Sequence, residues 1–306
     1  MIIIGVDTGG TFTDFVYKEG DHWGVYKVLS TPADPAEAVL KGLAHIAGGK
    51  PKQIVHGSTV ATNAILERKG VKTALITNKG FEDVIEIGRQ NRSRLYDLGF
   101  RKEPQIVSSE LRFGVEGRIL HTGEEMAPLG IAAIQNIIKA LLNLRIESVA
   151  VCLLFSYVNP SHEQKIRALL EKTNIPVFLS HEILSEFREF ERTSTTVINA
   201  YVSPKMQNYI GSLMNNLDER DSLGIMQSNG GRISPDTAMK ESVRTILSGP
   251  AGGAVGAFAI GKMAEHNKLI TLDMGGTSTD VCLMDERLSL TMESKISGYP
   301  LKVPMI

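Results

Sequence analysis

Two aspartates, Asp7 and Asp273, each stand at the end of an apolar run and open the same octet, D-x-G-G-T-x-T-D. The first copy reads Asp7, Thr8, Gly9, Gly10, Thr11, Phe12, Thr13, Asp14; the second, 266 residues later, reads Asp273, Met274, Gly275, Gly276, Thr277, Ser278, Thr279, Asp280. Carboxylates can hold a divalent cation, while glycine N–H groups with threonine and serine hydroxyls can hold phosphate oxygens. The chemistry such a pair of turns could support is binding of a phosphate chain together with its metal ion. The competing reading is that each acid caps its own turn by accepting backbone N–H bonds. Two copies that keep the first acid, both glycines, both threonines and the last acid favour the first reading. For Asp14 and Asp280, strand alternation could equally point the side chain outward or into a structural pair.

The elements that must position these residues follow from the flanking patterns. Glycines permit a tight reversal and close backbone approach. The stretches after them, Thr11 to Tyr17 and Thr277 to Met284, are rich in β-branched and apolar residues. Each unit is therefore a predicted strand–turn–strand hairpin. Strands at about 2–6, 11–17 and 23–29 form a predicted antiparallel meander. Asp34, Pro35 and Glu37 then open a helix that runs to about Ile46. A strand at 53–56, a helix at 58–69 and a strand at 72–77 follow. Residues 78–125 break the rhythm and suit an inserted subdomain or a substrate-facing lid. Alternation resumes with elements at 129–144, 147–155, 161–173 and 176–180. A long helix at 191–217 and a strand at 224–228 lead towards the second hairpin. The predicted domains are 1–182, with the insertion at 78–125, and 183–306.

Bulk properties narrow the classes. The chain has 306 residues, 33 Lys and Arg against 34 Asp and Glu, and a net charge of −1, so no basic field invites a nucleic acid. No stretch approaches ~18 apolar residues, which argues against a transmembrane helix. The first strand starts at once, leaving no room for a signal peptide. The two cysteines, Cys152 and Cys282, lie in apolar runs and read as reduced, buried thiols, which points to the cytoplasm.

Several motifs fail on inspection. Gly256 to Met263 matches G-x-x-x-x-G-K but ends in Met, where magnesium needs a hydroxyl, and it lies in a helix-like run. The glycines from Gly5 to Gly10 precede a strand rather than the helix a dinucleotide requires. His162-Glu163 has Ile166 in place of a second metal ligand, and reads as the first turn of a surface helix. No G-x-S-x-G occurs. Two further candidates remain for substrate binding. His56, Ser58 and Thr59 lie between a strand and a helix, where they could face an anion, or Ser58 could simply cap that helix while His56 satisfies the sheet end. Arg89 and Arg92 could fork a carboxylate or phosphate, or could be solvated surface.

The paired octets resemble the two phosphate loops of the actin, sugar-kinase and heat-shock ATPase superfamily. More narrowly, the chain resembles the hydantoinase A / 5-oxoprolinase family, which includes N-methylhydantoinase A and acetone carboxylase subunits. The narrower resemblance rests on His56 to Asn63 (HGSTVATN), Gly88 to Arg92 (GRQNR), Leu154 to Pro160 (LFSYVNP), Phe187 to Thr195 (FREFERTST) and Ser248 to Gly253 (SGPAGG), in the family's order. The last stretch matches the small-residue helix that crosses between the superfamily's domains, and its glycines read as close helix packing at a hinge.

The resemblance implies an α/β fold of actin-like ATPase (ribonuclease-H-like) architecture with two related domains, the second incomplete. It implies ATP and Mg2+ as cofactors, with Asp7 and Asp273 as catalytic and metal-holding residues. Thr8, Gly9, Gly10, Thr11, Thr13, Gly275, Gly276, Thr277, Ser278 and Thr279 would bind phosphates. The implied reaction is ATP-dependent activation and hydrolysis of a cyclic amide of hydantoin or 5-oxoproline type by oxygen phosphorylation. A second hydantoinase/oxoprolinase-type subunit is the implied partner, with no nucleic acid or membrane, and a homo-oligomer is compatible. The alternatives are a ketone carboxylase subunit, a small-molecule kinase and a non-catalytic nucleotide-binding or assembly subunit.

Overall fold

The computed structural model describes residues 1–306 except 32, 92, 93, 95 and 275–278. Arg92, Gly275, Gly276, Thr277 and Ser278 therefore lie outside the described residues.

Alternating apolar residues build a meander from β1 (Ile2–Thr8), β2 (Phe12–Glu19) and β3 (His22–Leu29). β1 buries Ile2, Ile4, Val6 and Thr8 on one face and turns Ile3 and Asp7 to the other. Helix α1 (Pro35–Ala47) starts at Asp34, whose carboxylate accepts the Ala36 N–H, and stops at Gly48 in the left-handed region. It covers the buried face of the meander with Ala36, Val39 and Leu43. Gly42 allows the contact, since a Cβ there would fall 2.1 Å from the Phe15 ring. β4 (Lys52–Ser58) runs parallel to β1, and the short α2 (Val60–Leu66) follows.

The chain then builds β5 (Thr73–Asn78), α3 (Val84–Ile87), β6 (Arg112–Val115), β7 (Arg118–Ile119), β8 (Glu125–Ala127) and α4 (Ile131–Asn143). It continues through β9 (Ser148–Cys152), α5 (Ser161–Leu170), β10 (Val177–Leu179), α6 (Ser180–Ile183) and the long α7 (Glu189–Asn215). β5 and β9 are buried along their whole length, as strands of a parallel sheet covered on both faces must be. After α7 come β11 (Ser222–Met226), β12 (Arg232–Ile233), α8 (Pro235–Lys240), α9 (Ser248–Met263), β13 (Lys268–Met274), β14 (Thr279–Asp285), β15 (Ser294–Ile296) and β16 (Tyr299–Leu301).

These elements form two compact units. The first holds Met1–Glu67, Lys205–Glu293 and Val303–Ile306; the second holds Arg68–Pro204 and Ser294–Lys302. The first unit contains a six-stranded sheet in the order β12-β11-β4-β1-β2-β3, and the separate ribbon β13-β14. The second contains the parallel sheet β10-β9-β5-β6. A sequential division at 182/183 does not coincide with these units. β11 zips parallel onto β4 although about 170 residues separate them, and β5, β9 and β10 leave the first sheet altogether. Parallel pairing is non-local, so chain order does not dictate which edge a strand joins. Within 78–125, β6 extends the β5 sheet, so that part is structural rather than a lid. No helix among the described residues is long and apolar enough to cross a membrane.

Two local expectations need correction. His162 does occupy the first turn of α5, but it is buried, with Nε2 2.8 Å from Glu125 Oε1. Cys152 is buried, whereas Cys282, on β14 of the two-stranded ribbon, is only half-buried.

Candidate functional site

The first unit gathers the chemistry around Asp7. Residues from Asp7 back to Ile2 are in strand register, which fixes the carboxylate on the face opposite Ile4 and Val6. No hydrogen bond reaches this carboxylate among the described residues. The turn closes without it, by Gly9 N–H donating to Phe12 O at 3.0 Å. The turn-capping reading of Asp7 is thereby set aside. Asp7 is solvent-accessible, yet the protein around it desolvates its carboxylate. Solvent can reach the group but hydrates it poorly. That desolvation, then the negative charges of Asp14 and of Asp273, raise its pKa above the ordinary carboxylate value.

The influence of Asp273 shows that the first acids of the two octets lie in one electrostatic neighbourhood, although 266 residues separate them in sequence. Asp273 itself is exposed, at the end of β13. Two backbone segments close on Asp7. A Cβ added at Gly57 would lie 3.4 Å from Asp7 Oδ1, and one at Gly249 would lie 3.3 Å from it. Gly249 belongs to the first turn of α9, so the SGPAGG stretch meets the acid directly as well as packing as a helix. Ser248 anchors that turn: its Oγ accepts the Ser58 N–H at 3.3 Å and donates to Ser58 O at 3.2 Å. Leu247, left-handed at φ 59°, donates its N–H to Thr62 Oγ1 at 2.9 Å.

The phosphate-loop candidates divide. Neither Gly9 nor Gly10 has positive φ, so the reversal itself does not demand glycine. A Cβ on Gly10 would meet nothing within 4 Å, which leaves an open approach to the backbone, whereas one on Gly9 would lie 3.2 Å from Phe12 O. Thr11 is exposed. Thr13 is buried and its hydroxyl is engaged by Ser30 Oγ at 3.0 Å, so this residue braces the hairpin instead of facing outward. The Thr8 hydroxyl is buried near Tyr209 without a hydrogen bond of good geometry. Thr279 is exposed and pairs with Met274 across the second ribbon.

The substrate-binding candidates are placed otherwise than expected. His56 is completely buried; its Nδ1 lies 3.3 Å from Val6 O and its Nε2 2.5 Å from Tyr209 Oη. A carbonyl can only accept, so Nδ1 carries the proton and Nε2 accepts from the Tyr209 hydroxyl. Burial lowers the His56 pKa to about 4 and pushes that of Tyr209 upward. As placed, His56 cannot touch a substrate; it ties β4 to the strand that carries Asp7. Ser58 Oγ accepts the Val60 N–H, and Thr59 Oγ1 donates to Thr8 O at 2.9 Å, so both hydroxyls serve the local backbone. In the second unit, Arg89 forks the Glu191 carboxylate through Nε at 2.8 Å and Nη2 at 2.6 Å, which neutralises the charge expected to receive a substrate. Gly249, Ser248, Thr62 and Tyr209 are the residues that sequence reading missed. The SGPAGG signal was present for two of them, but Tyr209 lies inside a long helix with no local mark.

Residues that could hold a magnesium ion fit this site. Asp7 has mutually repelling carboxylates beside it and no donor on its own, a situation a divalent cation relieves. Among the described residues there is no ready-made cluster of three or more His, Cys, Asp or Glu, so water and phosphate oxygens would complete the shell.

Comparison with known proteins places the chain in a family. Residues 3–174 match the Hydantoinase/oxoprolinase N-terminal region and residues 192–306 match Hydantoinase/oxoprolinase. The chain is 38% identical to the caprolactamase subunit alpha of Pseudomonas jessenii, over 99% of this chain and 46% of that one. It is 32% identical to 5-oxoprolinase 1 of Arabidopsis thaliana, over 98% of this chain and 27% of that one. The nucleotide-free structure of an acetone carboxylase that acts by ATP-dependent carboxylation superposes with a TM-score of 0.90 at 30% identity, covering 99% of this chain and 46% of that one. The chain thus spans about half the length of these relatives, or less.

Proposed function

The chain belongs to the hydantoinase/oxoprolinase family, and on that premise we propose that it is part of an ATP-dependent enzyme that activates a cyclic amide by phosphorylating its carbonyl oxygen. The observation that supports the reading is that Asp7, without a hydrogen-bond donor among the described residues, feels the negative charges of Asp14 and Asp273. Bound magnesium would supply charge neutralisation for the transferring phosphoryl group. Asp7 and Asp273 would hold it, and the Gly9–Gly10 backbone with the Thr11 hydroxyl would receive phosphate oxygens.

The reaction would proceed in three balanced steps. The amide oxygen would take the γ-phosphoryl group and ADP would leave. Water would add to the activated carbon and the C–N bond would open, giving the amine and an acyl phosphate; a second water would then hydrolyse the acyl phosphate to carboxylate and phosphate. Positioning and charge stabilisation dominate such chemistry, so no protein nucleophile is required. Tyr209 and His56 would serve by holding β1 and β4 in register behind the acid. The naming of one relative as a subunit supports a second chain as partner.

A second reading, a ketone carboxylase subunit, draws on the superposition with acetone carboxylase. The test is product analysis with Mg–ATP and 5-oxoproline, hydantoin, caprolactam, or a ketone with bicarbonate, in the presence of a partner subunit. Ring-opened product with ADP and phosphate supports the amidohydrolase, and carboxylated ketone supports the alternative. Release of a stable phosphorylated substrate would sink both.

A further inference from the structure

The carbonyls of Thr8, Gly9, Thr11 and Phe12, around the first glycine turn, are each taken by a donor of the protein. Gly9 N–H donates to Phe12 O and closes the turn. Thr59 donates to Thr8 O through its hydroxyl at 2.9 Å. Ser30, just past the end of β3, takes the other two: its N–H donates to Thr11 O at 2.9 Å and its hydroxyl to Gly9 O at 2.8 Å. A carbonyl only accepts, so Ser30 spends its single hydroxyl proton there, and Thr13 must donate to Ser30 Oγ at 3.0 Å.

Ser30 thus grips the turn on both sides of Gly10. Between the two grips stand the N–H groups of Gly10 and Thr11, on exposed residues, which donate to no acceptor among the described residues. The hairpin is already closed by Gly9 and Phe12, so the Ser30 bonds are not needed to reverse the chain. The adjacent Thr31 makes a contrast. Its hydroxyl donates to Asp34 O and accepts the Ala38 N–H, so it serves the start of α1 and not the turn.

We propose that Ser30 is a positioning residue for phosphate: by fixing Gly9 O and Thr11 O, it orients the Gly10 and Thr11 N–H groups before the ligand arrives. Two donors then meet phosphate oxygens without further ordering of the chain. The role rests on the phosphate-binding reading of this turn. Ser30→Ala, Ser30→Thr and Thr31→Val are compared in the 306-residue chain, first without nucleotide. Amide 15N relaxation should give Gly10 and Thr11 order parameters of about 0.85 in the parent, Ser30→Thr and Thr31→Val, and below about 0.6 in Ser30→Ala. Calorimetry with Mg–ATP should show affinity weakened roughly tenfold in Ser30→Ala and within about threefold of the parent in the other two. Ser30→Ala leaves the Thr13 hydroxyl without its acceptor and Thr31→Val weakens the start of α1, so both should melt about 2–4 °C lower. Unchanged order parameters in Ser30→Ala, or a loosened turn that binds Mg–ATP as the parent does, would overturn the role of Ser30. Equal weakening by Thr31→Val would overturn it too, by tracing the effect to general stability. A parent chain with an ordered turn and no Mg–ATP binding would remove the phosphate-binding reading and the proposal with it; that outcome stands apart because every variant then gives the same blank titration.

Discussion

Asp7 stands directly opposite Asp14 in the β1–β2 ladder, and the relationship is repeated where Asp273 stands opposite Asp280 in β13–β14. Like charges in cross-strand register oppose folding by about 0.2–1 kcal/mol. Lys27, 3.0 Å from Asp14, offsets part of this in the first hairpin. A metal ion held by Asp7, as proposed above, would relieve this repulsion in the first hairpin.

Replacing Asp7 with asparagine should raise the melting temperature at neutral pH while abolishing magnesium-dependent nucleotide binding. Because the folded-state pKa is raised, this group favours folding below its unfolded value near 3.8 and loses that contribution as pH rises through the folded value. At neutral pH the ionised carboxylate is therefore a burden that asparagine removes, and the gain should shrink towards acid pH. A melting temperature that drops at pH 7 would contradict the electrostatic account.

His56 gives stability a pH dependence of opposite sense. Its folded pKa of about 4 lies below its unfolded value of 6.5, so its contribution is full above pH 6.5 and is lost as pH falls towards 4. The loss amounts to about 3 kcal/mol across that window. Urea unfolding at a series of pH values should show the slope in the parent protein, and a His56→Asn variant should lack that part of it.

Glu163 is fully buried and holds the end of β9 by accepting from Leu153 N at 2.9 Å, Ser180 Oγ at 2.7 Å and His181 Nδ1 at 2.7 Å. Removing it strands several buried donors, so Glu163→Ala should destabilise by about 3–5 kcal/mol. Glu163→Gln, which keeps the shape and one acceptor, should lose less. Equal melting curves for alanine variant and parent would overturn this structural role.

Gly249→Ala probes the approach of α9 to Asp7. Alanine suits a helix better than glycine by about 1 kcal/mol, so thermal stability should hold within about 4 °C. Its Cβ, 3.3 Å from Asp7 Oδ1, should displace the carboxylate and weaken Mg–nucleotide binding by about tenfold. Calorimetry on both proteins measures the difference, and unchanged affinity would remove Gly249 from the site.

The first hairpin, α1 with its Asp34 cap, and the buried runs of β5 and β9 were legible because each is set by a local period or a local cap. The repeated octets made Asp7 and Asp273 candidates, since composition and spacing are properties of the chain itself. Only the tertiary structure decided that β11 completes the first sheet, that α9 brings Gly249 to Asp7, and that His56 turns inward to Tyr209 while Arg89 is taken by Glu191. Each of these depends on contacts between residues far apart in sequence. No local pattern reports whether a histidine faces solvent or an arginine already has its carboxylate; packing of distant segments determines both.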